Sequence, residues 1–509
     1  MTENRFNLID EPWIPVVDVG RVSLKEIFSN HNLKALGGNP VQKIALTKLL
    51  LAIAQSAHTP EDDQAWLNLG AEGLAKACLD YLDQWHDRFY LYGEKPFLQM
   101  PVIVEQIQKS KSKDKSERSY GMGFYPDLAS ENNTILSQYQ IEKSLNDAEK
   151  AIFLVTLMNF ALGGKRIIKD VPALTEGYSG KSNSAKSGPS LGNYVGYLHS
   201  YLVGSALQET IWLNLVTGGE ILKHKSWTSG LGKAPWELMP KGEGDNVAEL
   251  LKNAYMGTLV ALSRFVYLEE NGVYYLEGIQ YPSHKDGWFE LSVSLNSNTS
   301  PPKMLWLDTE KKPWRELTTL LAFFDSRGNT GFSCLQLQYG FNRVSRSENS
   351  IGVWSGGLKV RGTLGDQSVK QDDDFVESFV MLPPPNQITG SDSLWFEHLQ
   401  TEMTELDGLS KSLYDCVMSY YKHQLVDGSN QAAQAKNLFW QLCESRFQDL
   451  VNGAEDAQQR YALRKAFAGF VNQAFENYCP KETARQLDAW AQARPNLSKY
   501  LAQPNKEVA

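Results

Sequence analysis

Basic side chains are most closely spaced in the segment EQIQKSKSKDKSERSYG, part of a polar, turn-rich stretch at 105–131. Lysine ammonium groups neutralise phosphates, so this stretch predicts a mobile loop that contacts nucleic-acid phosphates and becomes ordered on binding. A solvated surface loop has the same composition, and the residues alone leave both alternatives open. The lysines of the segment are Lys109, Lys111, Lys113 and Lys115.

A second basic stretch, YSGKSNSAKSGPSLGN at 178–193, is rich in Gly, Ser and Lys and has no apolar periodicity. Lys181 and Lys186 would suit phosphates, whereas a flexible linker is the alternative interpretation. Further local positive charge, which ordinary solvated side chains also explain, comes from Lys165, Arg166, Lys169 and the segment KHKSW at 223–227.

Side chains that could support catalysis are sparse in recognisable patterns. The densest carboxylate cluster, QDDDF at 371–375, could hold a divalent cation, although an exposed acidic turn is the commoner explanation. None of the eight histidines stands in an H-x-x-x-H or H-E-x-x-H motif, and the sequence has no Walker A and no G-x-S-x-G motif. The sequence therefore indicates a protein that is not an enzyme, with an active site dispersed along the chain as the alternative.

The 509-residue chain has a formal net charge of −9, which excludes a surface that binds polyanions over its whole extent but not a local basic groove. Its five cysteines are too scattered for a zinc knuckle or a redox pair and indicate reduced thiols. Residues 1–11 do not resemble a signal peptide, and the longest apolar runs are too short to span a bilayer. We expect a cytoplasmic protein with no membrane contact and no cofactor.

Helical spacing of apolar residues predicts a helix over 41–57 and one or two amphipathic helices over 62–88. Asn146 followed by Glu149 predicts a capping box, and the helix that starts there is expected to stop at Gly163. Residues 1–40 are expected to form short strands and turns. The other expected elements are a strand–turn–strand at 88–101, a helix at 194–215, strands within 255–300, a helix near 313–324 and irregular strands within 332–380.

The clearest linker is MLPPPNQITGSD at 381–392, where three consecutive prolines predict a stiff, non-helical joint. Residues 393–502 then have a nearly continuous helical pattern with short breaks, which is typical of an antiparallel bundle. The predicted fold class is therefore α+β. A large mixed N-terminal domain (1–380) is expected to precede the linker and a C-terminal antiparallel four-helix bundle (393–509).

The string NLIDEPWIPV at 7–16 places Trp13 between two prolines, which predicts a strand–kink–strand that pins the N-terminus to the core. It resembles the N-terminal signature of the CasA family, the large subunit of the type I-E CRISPR surveillance complex, Cascade. Three further stretches are similar to that family: RFYLYGEKPFLQ (88–99), NNTILSQ leading into LNDAEKAIFLVTL (132–157) and APWE (234–237).

The resemblance implies a subunit that touches the PAM, a short motif beside the target, from the minor groove while guide RNA reads the sequence. Minor-groove reading carries little base information, so a loose PAM preference is expected. The glycine-containing loop of the family maps to Gly180, with Gly177 and Gly188 as neighbours, because glycine permits a close approach of the backbone. The family's loop before the long helix that is predicted to start at Asn146 maps to Asn133, Thr134, Ile135 and Leu136.

The family also has a glutamine wedge that inserts below the PAM and helps to unstack base pairs. By resemblance this wedge maps to Gln367, with Arg361 as the alternative. The family's lysine contact falls on Asn271, so that contact is either missing or supplied by Lys285. Some relatives carry a cysteine cluster that could hold zinc, and this chain has none, so we predict no metal.

These observations predict a non-catalytic DNA-binding subunit of type I-E Cascade. It would recognise the PAM of foreign double-stranded DNA, help to start strand separation and R-loop formation, and help to recruit the helicase–nuclease. Its expected partners are the other Cascade subunits with CRISPR RNA, the target duplex and the helicase–nuclease, and the bundle would contact the small subunits and the displaced strand. The alternatives are the large subunit of another CRISPR complex, a nuclease that uses Asp372 to Asp374, and a helical scaffold without nucleic-acid contacts.

Overall fold

We describe the fold from a computed structural model, in which the chain divides into two compact units. Unit 1 comprises Met1–Trp314, Thr330–Arg343 and Val353–Phe379, and unit 2 comprises Arg315–Asn329, Val344–Gly352 and Val380–Ala509. The residues that the structure describes are 3–109, 118–119, 144–162, 174–175, 196–282, 284, 287–325, 331–363, 366–368, 375–389 and 393–502.

Helices contribute more residues than strands to the described part of each unit, and short 3₁₀ turns occur at 86–88, 313–316, 322–324 and 498–501. The α-helices are α1 (Leu24–Ser29), α2 (Pro40–Ala57), α3 (Asp63–Gln84), α4 (Val102–Lys109), α5 (Asp147–Asn159), α6 (Leu207–Leu213), α7 (Gly218–Lys223), α8 (Asn246–Lys252), α9 (Tyr255–Leu259), α10 (Leu317–Leu320), α11 (Leu335–Val344), α12 (Pro385–Ile388), α13 (Trp395–His423), α14 (Ser429–Asn452), α15 (Ala457–Tyr478) and α16 (Ala484–Ala493).

The strands are short and form several small sheets, with the orders β1-β4, β2-β3, β5-β8-β7, β10-β9-β11, β13-β14 and β15-β12-β6. Their bounds are β1 (Arg5–Asn7), β2 (Ile14–Val16), β3 (Gly20–Val22), β4 (Tyr90–Tyr92), β5 (Arg118–Ser119), β6 (His199–Val203), β7 (Arg264–Leu268), β8 (Gly272–Glu277), β9 (Leu295–Asn296), β10 (Lys303–Met304), β11 (Phe332–Ser333), β12 (Ile351–Leu358), β13 (Arg361–Thr363), β14 (Asp366–Ser368) and β15 (Phe375–Leu382). The mixed helix-and-sheet fold is therefore confirmed.

Helix α2 lies inside unit 1, where it packs against α3, α5, α6 and α9. Asn39 caps its first turn by accepting a hydrogen bond from the backbone N–H of Gln42, and Pro40 occupies the first helical position. A helix with neighbours on several sides must be apolar on most of its surface, which explains the run IALTKLLLAIA. The predicted helix at 41–57 is confirmed.

The opening string folds as the prolines predict. Strand β1 precedes the turn, and β2 follows Trp13 and pairs antiparallel with β3, with Ile14 opposite Val22. Trp13 has no exposed surface, and its Nε1 donates a hydrogen bond to the carbonyl of Leu8 over 2.9 Å. The rigid tryptophan therefore fixes the N-terminal segment in the core of unit 1.

Four consecutive helices, α13 to α16, make up most of unit 2. Helix α13 packs against α14, α15 and α16, and its buried residues Leu399, Leu406, Leu413 and Tyr420 recur every seven residues. The connections at 424–428, 453–456 and 479–483 overlap the breaks that the sequence predicts at 426–430, 451–456 and 478–482. The helical run is confirmed, whereas its arrangement as an antiparallel bundle and the domain boundaries stay predictions.

The predicted helix at 194–215 is wrong, because this part of the chain contains β6 and then α6. Residues 199–202 of β6 are all buried, so the strand has apolar or enclosed neighbours on both faces. A strand that is buried on both faces has a continuous run of apolar residues in its sequence. Periodicity cannot distinguish such a run from a buried helix. Residues 194–195 lie outside the described residues.

Helices α11 and α12 occur where the sequence predicted other structure. Helix α11 interrupts the predicted irregular strands of 332–380, and α12 begins at Pro385 within the linker that was expected to be non-helical. Proline is well tolerated at the start of a helix because its missing N–H has no partner there. Within the predicted region of strands and turns at 1–40, α1 carries a Ser23–Glu26 capping box, a signal that the sequence does contain.

Several boundaries also differ from the predictions. Only β4 forms in the predicted strand–turn–strand at 88–101, and α4 extends through Lys109 into the predicted loop. Helix α5 ends at Asn159 rather than at the glycines, and α3 bends at Gly70, where φ is 61°. Leu67, which lies before the bend, is 58% exposed. Three smaller differences remain. The helix predicted near 313–324 is the short α10 flanked by 3₁₀ turns, and the region 255–300, predicted as strands, also contains α9 and a strand, β9, of only two residues.

Candidate nucleic-acid interface

Both candidates for the wedge lie on one hairpin of unit 1. Strands β13 and β14 pair antiparallel, with Arg361 opposite Ser368 and Gly362 opposite Gln367. Gln367 and Arg361 are therefore on neighbouring rungs of the same two-stranded ladder. The two candidates for the wedge therefore lie at the same place in the fold.

Residues of β3 and β4 contact the N-terminus of α5. Asn146 and Glu149 form the predicted capping box, which is confirmed, and the side chain of Arg21 lies 3.4 Å from the Asn146 side-chain oxygen. The Tyr92 hydroxyl donates a hydrogen bond to Asp147 over 2.9 Å. The helix start that follows the candidate loop at 133–136 is thus fixed by β3 and β4.

Lys150, one turn further along α5, is only 3% exposed. Its Nζ donates hydrogen bonds to the Tyr92 hydroxyl over 3.1 Å and to the Glu270 carbonyl over 2.8 Å. Burial lowers the pKa of Lys150, with Asp147 acting in the opposite direction. This lysine therefore links α5 to the β7–β8 turn and is not available to bind phosphate.

The ends of the lysine-rich segment lie at the sheet β5-β8-β7. Helix α4, which ends at the exposed Lys109, contacts β7, and Met100 donates its backbone N–H to the carbonyl of Val266. On the other side of the segment, Arg118 pairs with Val273 of β8. The sheet therefore holds both ends of the segment within unit 1.

Asn271, the position that corresponds to the family's lysine, is exposed in the turn between β7 and β8. It directly precedes Gly272, which pairs with Ser119 of β5. Its exposed position leaves it open to a ligand. Lys285, the other candidate for this contact, lies outside the described residues.

Residues from all four stretches that resemble the CasA family contact one another in unit 1. Strand β1 pairs with β4, which joins the first stretch to the second, and Tyr92 joins the second to α5. The ring of Trp236, from the fourth stretch, lies 5.5 Å from the ring of Phe89 and 5.6 Å from that of Phe97. These residues therefore form one packed framework within unit 1.

Most candidate contact residues lie outside the described residues, so their contacts with DNA stay predictions. The side chains of Arg361 and Gln367 are likewise not described. The residues concerned are Asn133, Thr134, Ile135, Leu136, Gly177, Gly180, Lys181, Lys186, Lys111, Lys113, Lys115, Lys165 and Arg166, together with Asp372 to Asp374 of the acidic cluster.

In the described ranges, no three His, Cys, Asp or Glu side chains come together in a way that could hold a metal ion. Within these ranges, every helix is too short or too polar to cross a membrane. All five cysteines are free, and four of them, Cys78, Cys334, Cys443 and Cys479, are buried.

Comparison with known proteins identifies the family. The family model of CRISPR-associated protein Cse1 matches residues 7–478 of this chain. The chain belongs to the Cse1 family. A relative, CRISPR-associated protein CasA/Cse1 of Thermus thermophilus, is 33% identical, and the match covers 99% of each chain.

Solved structures of Cse1 proteins have the same fold as this chain. The structure of Thermobifida fusca Cse1 superposes with a TM-score of 0.72 at 18% identity and covers 98% of each chain. A chain of a structure described as a CRISPR RNA-guided surveillance complex has a TM-score of 0.64 at 14% identity, with 98% of this chain and 99% of that chain covered. The Cse1 fold thus extends along nearly the full length of this chain.

Sequence reasoning missed a buried ionic cluster in unit 1. Lys48 of α2 lies 2.7 Å from the carboxylate of Glu290, and His199 of β6 lies 3.3 Å from the same oxygen. Ser292 donates its hydroxyl to Glu290 over 3.0 Å. The only signal in the sequence is the lysine in the apolar run of α2, and nothing in that run identifies its partner.

Proposed function

We propose that this protein is a non-catalytic DNA-binding subunit of type I-E Cascade, an RNA-guided surveillance complex of the cytoplasm. It recognises the PAM of foreign double-stranded DNA, helps to start strand separation, and helps to recruit the helicase–nuclease. The observation that carries the proposal is the match of the Cse1 family model to residues 7–478. Guide RNA supplies the sequence reading in such complexes, so the protein needs contacts only to the PAM and the opened strands.

The β13–β14 hairpin is the proposed wedge. A narrow two-stranded hairpin can enter a groove that a larger element cannot, and Gln367 lies on its second strand, opposite Gly362. Inserting one side chain beside a base pair offsets part of the cost of unstacking it. The glycine loop around Gly180 and the lysines of the 105–131 segment are the proposed minor-groove and phosphate contacts.

Helices α13 to α16 are proposed to form the antiparallel four-helix bundle, with residues 1–380 as the DNA-contacting domain. The support is the set of contacts that α13 makes with the other three helices. In this proposal the outer faces of the bundle contact the neighbouring small subunits and the displaced strand. Such a division separates PAM reading from the contacts that hold the opened duplex.

The proposal is tested by measuring target binding with the reconstituted complex, with and without this chain, on PAM-bearing and PAM-scrambled duplexes. We expect the chain to raise affinity for the PAM-bearing duplex by about tenfold or more, and to change affinity for the scrambled duplex much less. Equal affinity for both duplexes, with or without the chain, would contradict PAM reading.

The wedge is tested separately with Gln367→Ala. We expect R-loop formation on PAM-bearing DNA to slow by about tenfold, because one unstacking contact is lost, while the complex still assembles. Gln387→Ala is the matched control, since Gln387 is an exposed glutamine of α12. Unchanged R-loop kinetics in Gln367→Ala would remove Gln367 from the wedge role.

A further inference from the structure

A cleft in unit 1 lies between the segment Arg88–Val102 and the segment Pro235–Lys241. Its volume is about 350 Å³, within the range of about 300–1,000 Å³ that is usual for small-ligand sites. None of the candidate PAM or DNA contacts lines it. We call it the proline-walled cleft, because its lining includes Pro96, Pro101, Pro235 and Pro240.

The inner surface of the proline-walled cleft is apolar and aromatic. Phe97, Met100 and Trp236 line it and are each less than 5% exposed, whereas Met239 is half-buried near them. The buried rings support the accessible residues Met239 and Pro101, and a thioether and a proline ring are favourable apolar contacts for the flat face of a nucleobase. The inner surface therefore suits a flat, unsaturated ring.

The lining also carries an excess of positive charge. Lys95 and Lys241 are exposed, Arg88 is half-buried, and Glu94 is the one carboxylate among the lining residues. Arg88 is partly neutralised by Asp87, whose carboxylate lies 3.7 Å from its Nε. In a chain with a net charge of −9, two exposed lysines beside an apolar cleft favour a ligand that has both a flat ring and an anionic group.

The walls of the cleft are held in place before any ligand binds. The Trp236 indole donates its N–H to the Tyr81 hydroxyl over 2.7 Å, and that hydroxyl donates to Glu237 over 2.7 Å. Leu98 has a φ of 53°, in the left-handed region that leucine rarely adopts. Backbone strain of this kind is found at ligand sites because neighbouring structure must hold it. A site held in this way loses little freedom when a ligand enters.

We propose that the proline-walled cleft binds one nucleotide, with the base against Met239 and Pro101 and the phosphate between Lys95 and Lys241. The nucleotide is either a free mononucleotide or one residue of a single strand, since both present a base and a phosphate. Binding here is independent of PAM reading, because the cleft contains none of the residues proposed for that function.

The first test fills the cleft with a larger side chain. Met239→Trp in the full-length chain should weaken binding of uridine monophosphate by about tenfold or more, measured by isothermal titration calorimetry. Leu238→Trp is the matched control, because Leu238 is 47% exposed and does not line the cleft. Equal unfolding midpoints for the two variants establish that a difference in binding does not come from misfolding.

The second test removes the proposed phosphate contacts. The double substitution Lys95→Ala with Lys241→Ala should weaken binding of uridine monophosphate by about tenfold and leave the weaker binding of uridine unchanged. The control is the double substitution Lys25→Ala with Lys76→Ala, at two exposed lysines of unit 1 that do not line the cleft. Because all four lysines are exposed, neither double variant disturbs the core.

The source of the nucleotide is resolved by comparing uridine monophosphate with a short oligothymidylate. Tighter binding of the oligonucleotide, lost in Met239→Trp, supports a nucleotide within a strand, and equal binding of both ligands supports a free nucleotide. No binding of either ligand at millimolar concentration overturns the proposal. Binding that neither cleft variant weakens also overturns the proposal. So does a result in which only an acidic peptide binds and Met239→Trp weakens that binding.

Discussion

The two units of this protein place ionic groups in their interiors in different ways. In unit 1, the side chains of Lys48 and Glu290 are 2% and 4% exposed, and His199 is completely buried beside them. In unit 2, Glu402 of α13 is also buried, but its partner Arg464 of α15 keeps a quarter of its side chain in solvent. One unit therefore encloses both partners of an ion pair, and the other encloses only one.

This difference has an energetic consequence. If the cation of a pair is partly exposed, it stays solvated after its partner is lost. The loss of unfolding free energy is then that of a hydrogen bond to a charged group. When both partners are enclosed, loss of one leaves the other as an unpaired buried charge, which is far more costly. The core of unit 1 should therefore tolerate changes to its charged residues much less than the helices of unit 2.

The largest expected effect is that of Lys48→Met. The substitution leaves Glu290 buried without its lysine, and we expect unit 1 to lose about 3–5 kcal/mol of unfolding free energy. Urea unfolding followed by tryptophan fluorescence measures the change. The control is Lys43→Met on the same helix, whose partner Glu377 lies 2.7 Å away but is 35% exposed, so that about 1 kcal/mol or less is expected. Similar losses in both variants would contradict the distinction between the two kinds of pair.

The second-largest expected effect is a loss of unfolding free energy of unit 1 at low pH. Burial raises the pKa of Glu290, but Lys48 and His199 outweigh burial and lower this pKa from 4.5 to about 2. The contribution of Glu290 is fully present above the unfolded pKa of 4.5 and is lost as the pH falls through about 2. Between pH 6 and pH 3 we expect unit 1 to lose about 2 kcal/mol from this carboxyl. Lys48→Met should flatten this part of the pH profile, and an unchanged slope would show that other carboxyls cause it.

A smaller loss is expected in unit 2 for Glu402→Gln. Two hydrogen bonds of 2.8 Å from Arg464 to the carboxylate are weakened, but both Arg464 and the nearby Arg460 can turn to solvent. We expect a loss of about 1–3 kcal/mol in thermal or urea unfolding. Glu444→Gln, at an exposed position of α14, is the control and should be close to neutral. A loss as large as that of Lys48→Met would remove the contrast between the units.

The smallest expected effect should be equal in the two units. Asn146→Ala removes the cap of α5, and Asp456→Ala removes the cap of α15, which accepts hydrogen bonds from the backbone N–H groups of Gln458 and Gln459. Each change should cost about 1 kcal/mol, because cap energies depend on the helix end and not on the core behind it. Asn146→Ser should restore most of the loss. Clearly unequal losses would show that tertiary contacts, such as that of Arg21, dominate at α5.

The candidate interface could be predicted only through resemblance. The sequence placed Arg361 and Gln367 in one region, but their positions on neighbouring rungs follow from the pairing of β13 with β14. The role of Lys150 as a link to the Glu270 carbonyl has no local signal, because the two residues are distant in sequence. Resemblance thus indicated the candidate segments, and long-range contacts decided that Lys150 is buried rather than available to a ligand.

The sequence by itself determined the features whose causes are local. Two prolines beside Trp13 determined the kink of the N-terminal segment, Asn146 with Glu149 determined where α5 begins, and the seven-residue spacing of apolar residues determined α13. Each of these depends on φ restriction, capping or helical periodicity within a few residues.

Only the tertiary structure decided that 199–203 is a strand and that Lys48 meets Glu290. A run of buried residues is compatible with either secondary structure, and its neighbours determine which one satisfies the backbone hydrogen bonds. A buried lysine requires a counter-charge, but the carboxylate that approaches it is set by the packing of elements more than two hundred residues apart.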